Sequence, residues 1–266
     1  MSEKDGEKPQ AYLTHTSLAW WRDIQTALAS LTILPIRLPE GVDGSDRAGA
    51  GRAFPIAGLV IGVIAAAIFA AAMDLKLWRL VSAIAAILVV VVLTGTRNEM
   101  GVAAFADALY RKSKPKDRVA SMDHTHLGVH GLLAILFMVT LKIGLIAAAA
   151  TTVDSAAALI AASAAARTAL PLTTFNLPLA AGAVEGPLTA KASRDAMWTA
   201  LALGIAFVLL FLGPLTGFVA LAFGGLVGAA AAWRVRHELG GYTLEGLAVV
   251  VSATEIAVLV AAVIIR

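Results

Sequence analysis

Eight side chains able to ligate a metal, move a proton or hold a phosphate fall between positions 98 and 130: Asn98, Glu99, Asp107, Asp117, Asp123, His124, His126 and His130. Glu99, Ala103 and Asp107 follow one another at four-residue spacing, so on a helix both carboxylates share one face. Hard cations such as Mg²⁺ take oxygen ligands, commonly one or two carboxylates together with substrate phosphates. His124 and His126 diverge on a helix but converge in a loop. A Zn²⁺ site from His124, His126 and His130 is conceivable, although the spacing fits no standard zinc motif. The plain alternative is a solvated basic loop, since Lys112, Lys114, Lys116 and Arg118 read as a run facing water or lipid headgroups.

The elements that must position these groups are membrane helices. The 266 residues are 59% hydrophobic and only 15% charged, with a mean hydropathy of +0.82. Soluble domains run to about 45–50% apolar and about 25% charged. The chain has no cysteine, which excludes a disulfide framework, a thiolate metal site and a cysteine nucleophile. Its net charge of +3 fits loops facing an anionic leaflet, not a nucleic-acid partner. The polar, acidic start "MSEKDGEKPQ" has no apolar region behind a basic one and does not read as a signal peptide.

A span needs about 20 apolar residues. Seven runs meet or approach this, over 54–73, 77–95, 131–150, 153–175, 196–212, 215–233 and 247–265. The fold class is therefore all-α: a polytopic membrane bundle of about seven helices. A polar tail over 1–18 precedes one integral-membrane domain over 19–266. The segment "WWRDIQTALASLTILPIRLP" is too short in its apolar part to cross. It reads as an interfacial or re-entrant helix, with Trp20 and Trp21 at headgroup level. With the N-terminus in the cytoplasm, segments 1–53, 96–130, 176–195 and 234–246 all lie inside and hold 16 of the 21 Lys and Arg residues. The positive-inside bias thus places the polar loop 96–130 on the cytoplasmic side. Alanine runs such as "AAALIAASAAAR" supply small faces for close helix approach. Arg167, Lys142 and Glu255 lie inside apolar runs, where a charge is costly; Arg167 reads as functional and Lys142 as structural. Glu255 has Lys142 or Arg167 as its candidate partner.

Six stretches, in order and with the right apolar lengths between them, resemble the cobalamin synthase family, the adenosylcobinamide-GDP ribazoletransferases. They are "LTILPIRLP", "GRAFPIAGLVIGVIAAAIFA", "TGTRNEMGVAAFADAL", "DRVASMDHTHLGVHG", "AASAAARTALPL" and "LGGYTLEGLA". The third occupies the place of the family's "TGGLHEDGLADFADG". Asn98 stands there for the histidine, Met100 and Ala104 for the first two aspartates, and Asp107 for the third, while Glu99 is kept.

What the resemblance implies is a bacterial inner-membrane transferase. It would join adenosylcobinamide-GDP to α-ribazole or its 5′-phosphate and release GMP, alone, as a homo-oligomer, or in a complex with other cobalamin-assembly enzymes. It implies Mg²⁺ as cofactor on Asp107 and Glu99, catalytic roles for Asp107, Glu99, Asp123 and His124, and substrate contacts from Asn98, His126, His130, Arg167 and Glu245. With two aspartates replaced, the expected Mg²⁺-dependent activity is weak. An inactive relative that binds a corrinoid, and a small transporter, are the competing readings. The first is favoured by the lost aspartates; the second has no inverted repeat behind it.

Overall fold

The computed structural model describes residues 8–36, 49–111, 114–122 and 127–265. Asp123, His124 and His126 lie outside these residues. The described chain forms ten α-helices: α1 Lys8–Leu31, α2 Phe54–Asp74, α3 Arg79–Leu93, α4 Arg97–Arg111, α5 Pro115–Met122, α6 Val129–Ala148, α7 Thr152–Asn176, α8 Arg194–Leu212, α9 Pro214–Leu239 and α10 Leu244–Ile265. A single 3₁₀ turn, Gly51–Ala53, leads into α2. The helix limits are written in the sequence. Pro55 and Pro214 sit in the first turns of α2 and α9, where a missing N–H costs nothing. Thr151 and Ser193 accept hydrogen bonds from the amides of Asp154 and Ala196 as side-chain N-caps. Gly240 ends α9 in the left-handed conformation.

Among the described residues, six helices (α2, counted with the 3₁₀ turn, and α6 to α10) are long and apolar enough to cross a membrane. This is a multi-pass membrane protein. The expected second span differs from the rest. It is the 15-residue helix α3, which at 1.5 Å per residue reaches only about 22 Å. It breaks at residues 94–96 and bends by 84° into α4. Gly95 and Thr96 both have positive φ, at 63° and 58°, and the amide of Ile33 bonds the carbonyl of Leu93 at the break. A continuous helix is therefore not an option there, and α4 runs through the bundle at a steep angle to α3. At the N-terminus, α1 begins at Lys8, within the stretch read above as a polar tail.

The alanine-rich α7 is the central helix, buried over most of its length. The small residues of α2 let it come to backbone contact with α7. A Cβ on Gly58 would lie 2.4 Å from the Ser163 carbonyl, and one on Gly62 would lie 2.7 Å from Ile160 Cα. This is the small-xxx-small packing by which membrane helices associate. Trp78, Trp198 and Trp233 stay largely exposed toward helix ends, where interfacial belts place them, and Trp21 is exposed midway along α1. Trp20 instead lies under the Arg52 guanidinium, 4.3 Å from ring centroid to Cζ, and Arg52 is also paired with Asp23.

Inside the bundle, Glu255 of α10 takes both of its candidate partners. Lys142 Nζ of α6 lies 2.8 Å from Oε2, and Arg167 Nη1 of α7 lies 3.5 Å from Oε1. Arg79 also holds a fixed place, donating to the Thr151 carbonyl and to Ser155 Oγ. Arg118 departs from the expected solvated basic run. It is largely buried and paired with Glu238, so α5 is tied to the end of α9.

Candidate functional site

Helix α4 is held between α6 and α10 by two glycines. A Cβ on Gly101 would lie 2.5 Å from Ala248 Cβ and 3.2 Å from Glu245 Cα; one on Gly131 would lie 2.8 Å from the Ala103 carbonyl. These approaches bring the start of α10, with Glu245 in its first turn, against the middle of α4. The result is a cavity of about 350 Å³ walled by Arg97, Met100, Ala104, Asp107, Leu244 and Glu245, among others. A second cavity of about 670 Å³ shares Arg97, Met122, Leu244 and Glu245 with it and runs under the loop between α7 and α8. A third, of about 30 Å³, is walled by Arg97, Asn98, Arg167 and Leu244 with several apolar residues. Arg97 and Leu244 belong to all three.

The roof of the larger cavity is the 177–193 loop, and its shape is pinned from below. Tyr242 pairs with Leu179 as an isolated bridge, and its amide bonds the Pro178 carbonyl. Its phenol donates to the Thr189 carbonyl at 2.9 Å. Burial, and then the charge of Glu185, raise the Tyr242 pKa above its ordinary value, so the phenol stays a neutral donor. Thr189 in turn accepts the Gly186 amide and donates to the Val184 carbonyl.

The sequence-predicted residues separate into groups. Asp107 and Glu245 wall one cavity, while Asn98 and Arg167 wall the small one beside it. His130 stacks on Tyr110 at 4.1 Å between ring centroids and walls none of the three cavities. Glu99 is buried, and its Oε2 has no hydrogen-bond partner among the described residues; it walls none of them either. Two groups escaped the sequence reading. Arg97 was visible only as one more basic residue of the loop, and the 177–193 loop offered no chemistry-bearing motif.

Asp107 is committed. Its Oδ2 accepts the Gly128 amide at 2.6 Å and its Oδ1 the Gly131 amide at 2.9 Å. Gly128 is the N-cap of α6, so the carboxylate caps the positive end of that helix. Each oxygen keeps lone-pair capacity, but the group is oriented by α6. No three His, Cys, Asp or Glu side chains come together to hold a metal ion among the described residues. With Asp107 capping α6 and Glu99 away from the cavity, these residues do not by themselves fit a Mg²⁺ cage.

Comparison with known proteins agrees with the order of the motifs. The family model described as cobalamin-5-phosphate synthase matches residues 23–263. The chain is similar to the adenosylcobinamide-GDP ribazoletransferase of Allorhizobium ampelinum, at 30% identity over 86% of this chain and 91% of the relative. It is likewise similar to the proteins of that name from Bradyrhizobium diazoefficiens, at 29% over 90% and 92%, and Mesorhizobium japonicum, at 30% over 90% and 92%. No solved structure gives a significant match.

Proposed function

The chain belongs to the cobalamin-5-phosphate synthase family, and from that membership we propose that it transfers the adenosylcobinamide phosphate of adenosylcobinamide-GDP to α-ribazole or its 5′-phosphate and releases GMP. The observation that carries the placement of this reaction is the pair of adjoining cavities that meet at Arg97 and Glu245. Together they offer about 1,000 Å³, the upper end of the range for small-molecule sites, walled by one arginine and two carboxylates and otherwise mostly apolar. A bulky corrinoid extends beyond such a volume, so the cavities hold the diphosphate and the nucleoside ends, with the ring at the mouth.

The chemistry is one displacement at phosphorus. A ribose hydroxyl oxygen of α-ribazole forms a bond to the phosphorus that carries the cobinamide. The bond from that phosphorus to the bridging oxygen breaks, and GMP leaves with the bridging oxygen. The hydroxyl proton needs an acceptor within hydrogen-bond reach. Glu245 is the partly buried carboxylate of the shared wall, and we assign it this role. Asp107, held by two amides, fixes the α4–α6 wall. Because Asp107 caps α6 and Glu99 walls neither cavity, these two carboxylates do not form a metal cage, and Mg²⁺ is expected to change the rate only weakly.

The cytoplasmic placement of the cavities, in the bacterial inner membrane with the N-terminus inside, is supported by the Lys and Arg bias of the loops. The test is GMP release from adenosylcobinamide-GDP and α-ribazole by the full chain in liposomes, with and without Mg²⁺. Release in both conditions is the expected result. No release in either, with substrate still bound, would replace the transferase by the binding-only reading.

A further inference from the structure

Arg167, which walls the small cavity, belongs to a buried cluster of unequal charge. Lys142, Arg167 and Glu255 are 3%, 1% and 4% exposed, and two cations face one carboxylate. A guanidinium cannot shed its proton to relieve this, and an uncompensated charge in a bundle interior is costly. Glu255 bonds Lys142 at 2.8 Å but Arg167 only at 3.5 Å. The remaining bond from Arg167 goes to the Ser163 carbonyl at 3.4 Å, and its Nη2 has no hydrogen-bond partner among the described residues. Arg167 is therefore a buried cation with donor capacity left over.

The cavity that Arg167 walls has no carboxylate among its described walls. Its polar walls are Arg97, Asn98 and Thr94, and the Thr94 hydroxyl already donates to the Val90 carbonyl. Arg97 is fixed by its bond to the Ser30 carbonyl at the end of α1. Two helix starts also meet here, since Arg97 and Asn98 open α4 and Leu244 opens α10. Such ends carry unpaired N–H groups and a partial positive charge. A volume of about 30 Å³ matches the share of one water molecule. It admits one phosphoryl oxygen and no more. Arg97 and Leu244 continue from it into the walls of both large cavities, so it forms a recess in the floor of the proposed site.

We propose that Arg97, Asn98 and Arg167 form an anion subsite that takes one outer oxygen of a phosphoryl group directly on guanidinium and amide donors, with no bridging cation. The assignment deepens the transferase reading and rests on it for the identity of the diphosphate. The anion supplies the negative charge that Arg167 lacks and approaches its free Nη2. Planar guanidinium groups suit phosphoryl oxygens because they donate in pairs. Met100 and Ala104, at the positions where the resemblance would place aspartates, wall the neighbouring cavity without charge and leave Asp107 and Glu245 as the carboxylates of its described wall.

The test uses the full chain in detergent with EDTA and without added lipid, titrated calorimetrically with inorganic pyrophosphate and separately with GDP. Both anions are expected to bind the unaltered protein. Asn98→Asp, which puts a carboxylate into the recess, and Arg97→Gln should each weaken binding by about tenfold or more. Arg97→Lys should recover part of that loss. Thermal unfolding of each variant checks that the bundle is intact, and Arg167→Lys, which keeps the buried charge but removes the fork, serves as a second variant on that side. In turnover, Arg97→Gln should raise KM more than it lowers kcat. Binding that disappears in EDTA, or that is unchanged in both Asn98→Asp and Arg97→Gln, overturns the subsite. GMP release without pyrophosphate binding in EDTA rejects the subsite and keeps the transferase. Pyrophosphate binding that depends on Arg97, with no GMP release, keeps the subsite and rejects the transferase.

Discussion

At Asp107 two demands meet on one carboxylate. A metal ligand must turn its lone pairs toward the ion, whereas this group gives both oxygens to the amides that open α6. Caps of this kind stabilise by about 0.5–2 kcal/mol, and a charged acceptor adds to that. Asp107→Ala should therefore lower the stability of the protein by about 1–2 kcal/mol in EDTA, read from thermal unfolding in detergent. Asp107→Asn should recover part of the loss through its one amide oxygen. Unchanged stability in both would return Asp107 to a purely catalytic or metal-binding role. Residue types were legible at this scale, but their partners were not. The sequence places Glu255 in an apolar run with two candidate cations and cannot show that it takes both. Nor does it show that Arg97 and Arg167 face one recess, because that depends on α4 and α7 both packing against α10.

Among the elements, the spans were legible wherever a long apolar run is bounded by turn residues, as at Gly213 and Pro214 between α8 and α9. The exception is instructive. The run over 77–95 has enough apolar length to read as one span. Yet its helix ends at Leu93, where two residues of positive φ follow, and only Gly95 hints at that turn. The break lays α4 across the bundle instead of leaving it in a cytoplasmic loop, and this is what puts Asp107 and Glu245 on one cavity. The α4–α10 contact depends on Gly101. Gly101→Val would force branched carbons against Ala248 and the Glu245 backbone, already within 2.5 and 3.2 Å of a bare Cβ. Overpacking of this kind costs about 1–3 kcal/mol. The expected outcome is a folded protein with GMP release cut at least about tenfold, as Glu245 moves by a fraction of an ångström. Turnover equal to that of the unaltered chain would show that this contact does not set the site.

For the molecule as a whole, the Lys and Arg bias supports one proposed orientation. The proposed cytoplasmic face carries α5, the 177–193 loop and the ends of α4 and α9. The opposite face has only short turns such as 75–78 and 149–151. Counting α3 as a crossing gives seven, so the two ends of the chain should lie on opposite sides. Reporter fusions before Met1 and after Arg266 should read as cytoplasmic and periplasmic respectively. Both on one side would mean that α3 and α4 form a re-entrant pair and that the bundle crosses six times, the lower number the helix lengths allow.

The central claim is that the transfer takes place where the two large cavities meet, with Glu245 accepting the hydroxyl proton. The most direct measurement is the steady-state rate of GMP release by Glu245→Gln, with thermal unfolding confirming that the bundle is intact. Losing a positioned base should lower kcat by about 100-fold or more, with KM for adenosylcobinamide-GDP changed far less because the diphosphate is held elsewhere. A kcat within about threefold of the unaltered protein is far less than the loss of a general base would cause, and it would place the chemistry at another site.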